Sequence, residues 1–311
     1  SVLKALKERG FKVMLTLHHF TTPLWLANAG GFTNKRSIFY FRRFAERVFQ
    51  EYHDSVDFWA TINEPVIYAT CMCSDVLAPD FKAALKPLAE LKRLAYYFST
   101  TLKVVFNQID CHKKVYETFH GLAGKEVLVG IVKNNAYIEP FRQKSFFDKL
   151  AVKIAEYWWN IYFLNRVKNH MDFIGLNYYF HHKIKFPWSE KNENKVVSNL
   201  GWEVYPEGIY HVLKRLKKYG RPIYITENGV ADAGDKVRED FIRDHLYWIL
   251  LAIKEGVDVR GYFHWSLLDN VEWDKGKSPR FGLIEVNYET MERTIKPSAY
   301  YYAEVCKNNG V

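Results

Sequence analysis

The feature that most limits what this chain can fold into is a repeated alternation. Six short, near-continuous apolar runs are separated by stretches with helical spacing, and chemistry-bearing polar residues stand at the ends of the runs. The runs are residues 11–18 (FKVMLTLH), 55–62 (SVDFWATI), 127–132 (VLVGIV), 172–178 (DFIGLNY), 222–226 (PIYIT) and 259–265 (VRGYFHW). Helical spacing occupies 34–52, 88–121, 146–167, 209–219 and 240–255, and residues 1–9 read as the end of an amphipathic helix stopped by Gly10. Strands that alternate with such helices imply βαβ units and a parallel sheet. Because the runs are apolar throughout, that sheet is expected to be covered on both faces.

Two α/β architectures share this rhythm. No GxGxxG or GxxxxGK[ST] follows any run, which counts against a nucleotide-binding doubly wound sheet. The polar strand-end residues are His18 and His19, Asn63 and Glu64, Asn134 and Asn135, Asn177 and Tyr178, Glu227 and Asn228, and Trp265. A doubly wound sheet gathers such groups at one switch point, whereas a (β/α)8 barrel spreads them around its C-terminal mouth. The expected fold is therefore α/β, a TIM (β/α)8 barrel with six strands visible, and residues 1–311 are read as a single catalytic domain.

Composition narrows the function. The chain of 311 residues is 48% apolar and 25% charged, enough for a sizeable core. Its net charge of +9 comes largely from lysines mixed with apolar residues at helical spacing, as in 85–92 and 212–218. Such lysines describe solvated helix faces rather than a nucleic-acid surface. No run approaches the ~18–20 apolar residues of a membrane span, and residues 1–20 lack the layout of a signal peptide. Cys71, Cys73, Cys111 and Cys306 are too few and too scattered for a disulfide framework. Cys71-Met-Cys73 also lacks the spacer of a zinc knuckle. The expectation is a cytoplasmic protein with reduced thiols, no metal, and neither nucleic acid nor membrane as partner. An aromatic share of 17% supplies core volume first, and flat platforms for sugar rings second.

Two strand-end carboxylates stand out. Glu64 lies in Thr-Ile-Asn-Glu-Pro and Glu227 in Ile-Thr-Glu-Asn-Gly, with Pro65 and Gly229 breaking each strand just beyond. Two carboxyl groups facing one pocket are what acetal hydrolysis requires: one protonates the departing oxygen, and the other stabilises or attacks the oxocarbenium-like centre. The plainer reading, a glutamate paired with a barrel lysine or arginine, fits either motif alone better than it fits both together.

The segments TLHHF, TINEP, NNAYIEP, DFIGLNYY, GWEVYPEG, PIYITENG and FHWSLLDNVEW resemble, in content and order, glycoside hydrolase family 1. This family comprises retaining β-glucosidases and β-galactosidases of the TIM-barrel type, and the resemblance runs from residue 1 to about residue 305. It implies that Glu64 is the acid/base and Glu227 the nucleophile, with carboxyl groups ~5–5.5 Å apart. By the same resemblance His19 binds sugar hydroxyls, Asn63 holds the 2-hydroxyl, and Asn135 lies near the acid/base. Asn177 falls among the substrate-binding residues. Tyr179 matches the tyrosine that hydrogen-bonds the nucleophile, with Tyr178 the competing assignment if the phase is shifted by one. Trp265 matches the platform beneath the reacting sugar, or else is a core tryptophan. Glu272 and Trp273 match the pair that grips the distal hydroxyls of an unphosphorylated sugar, while Lys275 and Lys277 keep a phosphorylated one open. The implied partners are small β-glycosides or oligosaccharides, with no cofactor required, since two carboxylates supply the acid, base and nucleophile.

The sequence also departs from the family. The first two βα units are absent from it, and with them a glutamine and an arginine of the sugar site. An open six-stranded sheet leaves edges exposed, so an omitted N-terminal part is the favoured explanation. Phe20 stands where the family has tryptophan, and residues 71–81 (CMCSDVLAPDF) replace a Gly-rich loop. Residues 165–172 are much shorter than the corresponding family insertion, which predicts a more open mouth on the leaving-group side. The rival readings are a catalytically impaired sugar-binding remnant, a related barrel hydrolase acting on polysaccharide chains, and an apolar cavity that takes a flat, porphyrin-like ligand.

Overall fold

Each of the six apolar runs forms a strand in the computed structural model of the chain, which describes residues 2–74, 87–187 and 189–310. In chain order the strands are β1 (Met14–His18), β2 (Phe58–Asn63), β3 (Val129–Asn134), β4 (Tyr137–Pro140), β5 (Phe173–Asn177), β6 (His181–Lys185), β7 (Ser189–Glu190), β8 (Ile223–Asn228), β9 (Val259–His264), β10 (Ile284–Val286) and β11 (Arg293–Ile295). The helices are α1 (Val2–Glu8), α2 (Leu24–Asn28), α3 (Arg36–Tyr52), α4 (Pro65–Ser74), α5 (Pro87–Ala123), α6 (Phe146–Glu156), α7 (Tyr162–Val167), α8 (Glu207–Leu216), α9 (Arg238–Lys254) and α10 (Pro297–Asn308). Of the segment 71–81, residues 75–81 lie outside the described residues, as do the side chains of the basic stretch 85–92. Among the described residues no helix is long and apolar enough to cross a membrane. The chain divides into two compact units, Ser1–Lys133 with Ile161–Gly175, and Asn134–Asn160 with Leu176–Val311.

In the first unit the strand order is β1-β2-β3-β5, with Phe173–Gly175 as its part of β5. The pairing is parallel, with Met14 opposite Phe58 and Trp59 opposite Val129. All of β3 and nearly all of β2 is buried, as expected of a parallel sheet covered on both faces. Helix α5 packs on α3, and Phe49, Trp59 and Phe119 meet with ring centroids 4.4–5.2 Å apart. Gly130 leaves room for Phe173, whose ring would lie 2.5 Å from an added Cβ. His112 is fully buried: its Nε2–H donates to the His170 carbonyl (2.7 Å), so Nδ1 accepts from the Thr61 hydroxyl (2.7 Å).

In the second unit β5 continues as Leu176–Asn177 beside β8, followed by β9. A second sheet of order β4-β6-β7 and the antiparallel pair β10–β11 complete its strands. Val230, Phe241, Ile242 and Leu283 form a core against which Val204, Leu246 and Tyr302 pack. The buried Arg238 guanidinium pairs with Asp235 and donates to the carbonyls of Asp232 (2.7 Å) and Arg280 (2.8 Å). Buried Asp269 accepts from Gly282 N (2.8 Å) and Arg280 Nη1 (3.1 Å), which ties down the chain that follows β9.

Several boundaries differ from the periodicity by a few residues, and three of the differences have a visible reason. β1 starts at Met14 rather than residue 11, because the strand is anchored from the side: Asp57 accepts from Val13 N at 2.8 Å. β8 runs on through Glu227 to Asn228, which is still paired with His264 of β9. The helical stretch 146–167 is not continuous, since a π-helical turn at Tyr157–Ile161 separates α6 from α7. Asn160 in that turn accepts from Ala136 N (3.0 Å) and donates to Ala136 O (2.8 Å) and Glu156 (2.8 Å). A π turn that serves a distant backbone in this way commonly marks a functional region.

Burial holds several histidines neutral: His18, His112 and His245 fall to about 4, and His264 to about 3, from an ordinary 6.5. Their folded-state values lie below the unfolded one, so their neutral burial is fully compatible with folding above pH 6.5 and is penalised as pH falls toward 4. Urea unfolding measured across that window should show stability falling, with each histidine contributing a slope of up to about 1.4 kcal/mol per pH unit.

Candidate active site

In the first unit, His19 follows the last residue of β1 and Asn63 ends β2. Asn63 Nδ2 donates to His19 Nε2 at 3.2 Å, which leaves the imidazole proton on Nδ1. Burial lowers the pKa of His19, so the ring is neutral near pH 7 and suited to a hydroxyl. Beneath it, His18 is boxed by the edges of Phe32 and Tyr68 at 5.0 and 4.9 Å. Phe20, at positive φ (66°), stacks on Tyr68 at 6.4 Å.

Glu64 is 7% exposed and adopts φ 49°, a left-handed conformation that is costly for a residue with a side chain. Two backbone bonds hold it there: Glu64 N donates to Val132 O (2.9 Å), and Glu64 O accepts from Tyr68 N (3.0 Å). Pro65 then opens α4, where its missing N–H costs nothing. The strand-to-helix switch therefore falls at the carboxylate itself.

In the second unit, Asn134 and Asn135 are buried. Asn135 N donates to Asn177 O (3.1 Å), and its Nδ2 to the Asn160 carbonyl (3.3 Å) that the π turn presents. Asn177 Oδ1 accepts from the Thr226 hydroxyl at 2.7 Å. Beyond β5, Tyr178 N donates to Glu227 O (3.0 Å), while Asn228 Nδ2 donates to Tyr178 O (2.8 Å). The two tyrosines then part company. Tyr178 O–H donates to Tyr205 O at 2.8 Å, and Tyr179 O–H donates to Glu227 Oε2 at 2.9 Å. Trp202 and Phe281 flank Tyr179 edge-on.

Trp265 follows β9, its N donating to Asn228 O (3.0 Å) and its indole N–H to Glu272 Oε1 (3.2 Å). Trp273, at φ 47°, is half exposed beside Glu272. Lys275 pairs with Asp274 (2.7 Å), and Lys277 lies over the Tyr288 ring at 4.9 Å. Gly229 has a role that its strand-breaking reputation hides, because an added Cβ would lie 1.8 Å from Trp265 O. Among the described residues no group of three or more His, Cys, Asp or Glu could hold a metal ion.

Sequence reasoning missed Thr226 and Asn160. A lone asparagine inside the aromatic run WWNIYF was the available signal for the second, since a buried amide needs partners.

The chain was compared with known proteins. The profile of Glycosyl hydrolase family 1 matches residues 1–169 and 163–311. A beta-galactosidase of Sulfolobus acidocaldarius is 33% identical over 100% of this chain and 69% of its own length. The Galactolipid galactosyltransferase SFR2, chloroplastic, of Arabidopsis thaliana is 32% identical over 100% of this chain and 50% of its own length. In structure, a beta-glucosidase from Thermotoga maritima in complex with glucoimidazole superposes with a TM-score of 0.87 at 30% identity, covering 100% of this chain and 77% of that one. The fold class is accordingly α/β, that of the family's TIM barrels.

Gly229→Ala should lower the unfolding free energy by about 1–3 kcal/mol, because the Trp265 carbonyl has to move. Gly234→Ala, where the nearest atoms belong to the flexible Lys236 side chain at 3.4 Å, should stay within about 0.5 kcal/mol. Urea titration of both variants checks the contrast.

Proposed function

The chain belongs to glycosyl hydrolase family 1, and on that premise we propose that it is a retaining β-glycosidase acting on terminal non-reducing β-D-glucosides, with galactosides and fucosides as further substrates. In this reading Glu227 attacks the anomeric carbon while Glu64 protonates the leaving oxygen. Glu64 then takes a proton from the incoming water, which releases the sugar with its configuration retained. Residues 1–311 act as one catalytic domain in the cytoplasm.

The observation that carries the reading is the bond from Tyr179 O–H to Glu227 Oε2. A hydroxyl donor on one carboxylate oxygen fixes the orientation of the group and leaves the other oxygen to the reaction. Asn63, buried beside His19, supplies an amide for the 2-hydroxyl, a contact expected to strengthen in the transition state. His19 takes a neighbouring hydroxyl, and the buried Asn135 and Asn177 complete the substrate-binding set. Trp265 offers its π face to the sugar, and its bond to Glu272 orients that carboxylate, with Trp273, toward the distal hydroxyls. Lys275 and Lys277 are engaged with Asp274 and Tyr288, which favours an unphosphorylated sugar. The two carboxylates carry the acid, base and nucleophile roles, so the reading needs no cofactor.

A second reading rests on the Arabidopsis relative, whose name describes galactosyl transfer. The same glycosyl ester passed to a sugar hydroxyl instead of water would make a transferase, and a disaccharide among the products would identify it.

Hydrolysis of 4-nitrophenyl β-D-glucoside tests the proposal. Glu64→Gln should lower kcat by about 10²–10⁴-fold for natural leaving groups and less for nitrophenol, which needs little protonation. Tyr179→Phe should lower kcat by about ten- to a hundredfold, the value of one hydrogen bond to a charged group. A folded chain inert toward glucosides, galactosides and fucosides alike would favour the sugar-binding remnant.

A further inference from the structure

Helix α6 carries apolar residues on two faces, and only one of them is packed. Inward it lies against β4 and β6, with Asp148 and Ala151 buried. Outward, Phe146, Leu150 and Ile154 follow one another at four-residue spacing and are 71%, 42% and 52% exposed, with Phe147 beside them at 57%. Phe186, beyond β6, extends the same surface: its ring centroid is 5.4 Å from that of Phe147, and it is 44% exposed. A surface helix ordinarily turns polar side chains to water at these positions, and a contiguous apolar patch of this kind marks an interaction site.

The exposed charge that α6 itself sets beside the patch has one sign, while Glu190 of β7, the exposed acid nearest Phe186 in the chain, is bonded to His182 at 2.8 Å. Lys149 and Lys153, both exposed, flank the Phe146–Leu150–Ile154 row, and exposed Lys144 precedes the helix. The two acids of the helix are withdrawn from the surface. Asp148 is buried and bonded by Arg142 at 2.7 Å, and Glu156, 14% exposed, pairs with Arg215 at 2.8 Å.

We propose that this face of α6 docks the protein on an anionic lipid surface, with the phenylalanines entering the headgroup boundary and the lysines meeting the acidic headgroups. Phenylalanine and leucine on one arc with lysine at its flank is the composition that lies in such an interface. A second copy of the chain is a poorer occupant, because face-to-face contact sets lysines against lysines. The contact is peripheral and requires no span, and the lack of a span is what argued against a membrane partner in the sequence.

Co-sedimentation of the full chain with phosphatidylcholine vesicles, with and without phosphatidylserine and at low and high salt, tests the proposal without calling on catalysis. The expected result is sedimentation with the phosphatidylserine vesicles that weakens with salt. Phe146→Ser/Phe147→Ser should reduce the partition constant by at least about tenfold, the equivalent of roughly one buried aromatic ring. Lys149→Glu/Lys153→Glu, which leaves every apolar side chain in place, should reduce binding to the charged vesicles alone. Circular dichroism and the urea midpoint check that both variants remain folded. No sedimentation of the unaltered chain overturns the proposal, as does equal partition into uncharged vesicles. A dimer in light scattering that the phenylalanine variant abolishes would assign the face to a second copy instead.

Discussion

One backbone hydrogen bond sets the register on which the candidate site of the second unit depends. Tyr178 N–H donates to the Glu227 carbonyl at 3.0 Å, and Asn228 returns a side-chain bond to Tyr178 O at 2.8 Å. These bonds fix the register between the end of β8 and the chain leaving β5. Alternation then sends the hydroxyls of Tyr178 and Tyr179 to different partners, Tyr205 O and Glu227 Oε2. A slip of one residue would exchange them, because the side-chain period along an extended chain is two. Two glycines protect this register by letting heavier groups come close. Gly208 admits the Tyr178 hydroxyl, 1.9 Å from where a Cβ would be, and Gly229 admits the Trp265 carbonyl.

The first unit reaches a comparable result with strained backbone. Glu64 is held at positive φ by bonds on either side, to Val132 and from Tyr68, and Pro65 starts the helix at once. The carboxylate is thus the hinge between β2 and α4, and its position is overdetermined by both elements. Residues kept in sparsely populated conformations are maintained when the surroundings insist on them, and they cluster at functional positions.

Much of this was legible in the chain. Apolar runs bounded by helical spacing located strands β1, β2, β3, β5, β8 and β9, because burial on both faces leaves an unbroken apolar signature. The motifs around Glu64 and Glu227 pointed to the family that the comparisons then showed. Strand ends were less legible, since β8 extends to Asn228 through its pairing with His264 of β9, and pairing is not written in β8 alone. Gly229 read as a strand breaker, whereas its position is dictated by a carbonyl from residue 265. The π turn escaped for the same reason: Asn160 answers to Ala136, and helical periodicity carries no mark of a partner so far away in sequence. The β4-β6-β7 sheet also went unseen, because strands such as HHKIK lack an apolar run.

The central proposal is that Glu227 forms a covalent bond to the sugar. Its most direct test is the intact mass of the protein before and after incubation with a 2-deoxy-2-fluoro β-glucoside bearing a good leaving group, followed by peptide mapping. The fluorine destabilises the oxocarbenium-like transition states, so the glycosyl ester accumulates once the leaving group has departed. The account predicts one added fluorosugar, located on Glu227. A folded chain that turns over glucosides yet carries the sugar on another residue, or on none, would contradict it.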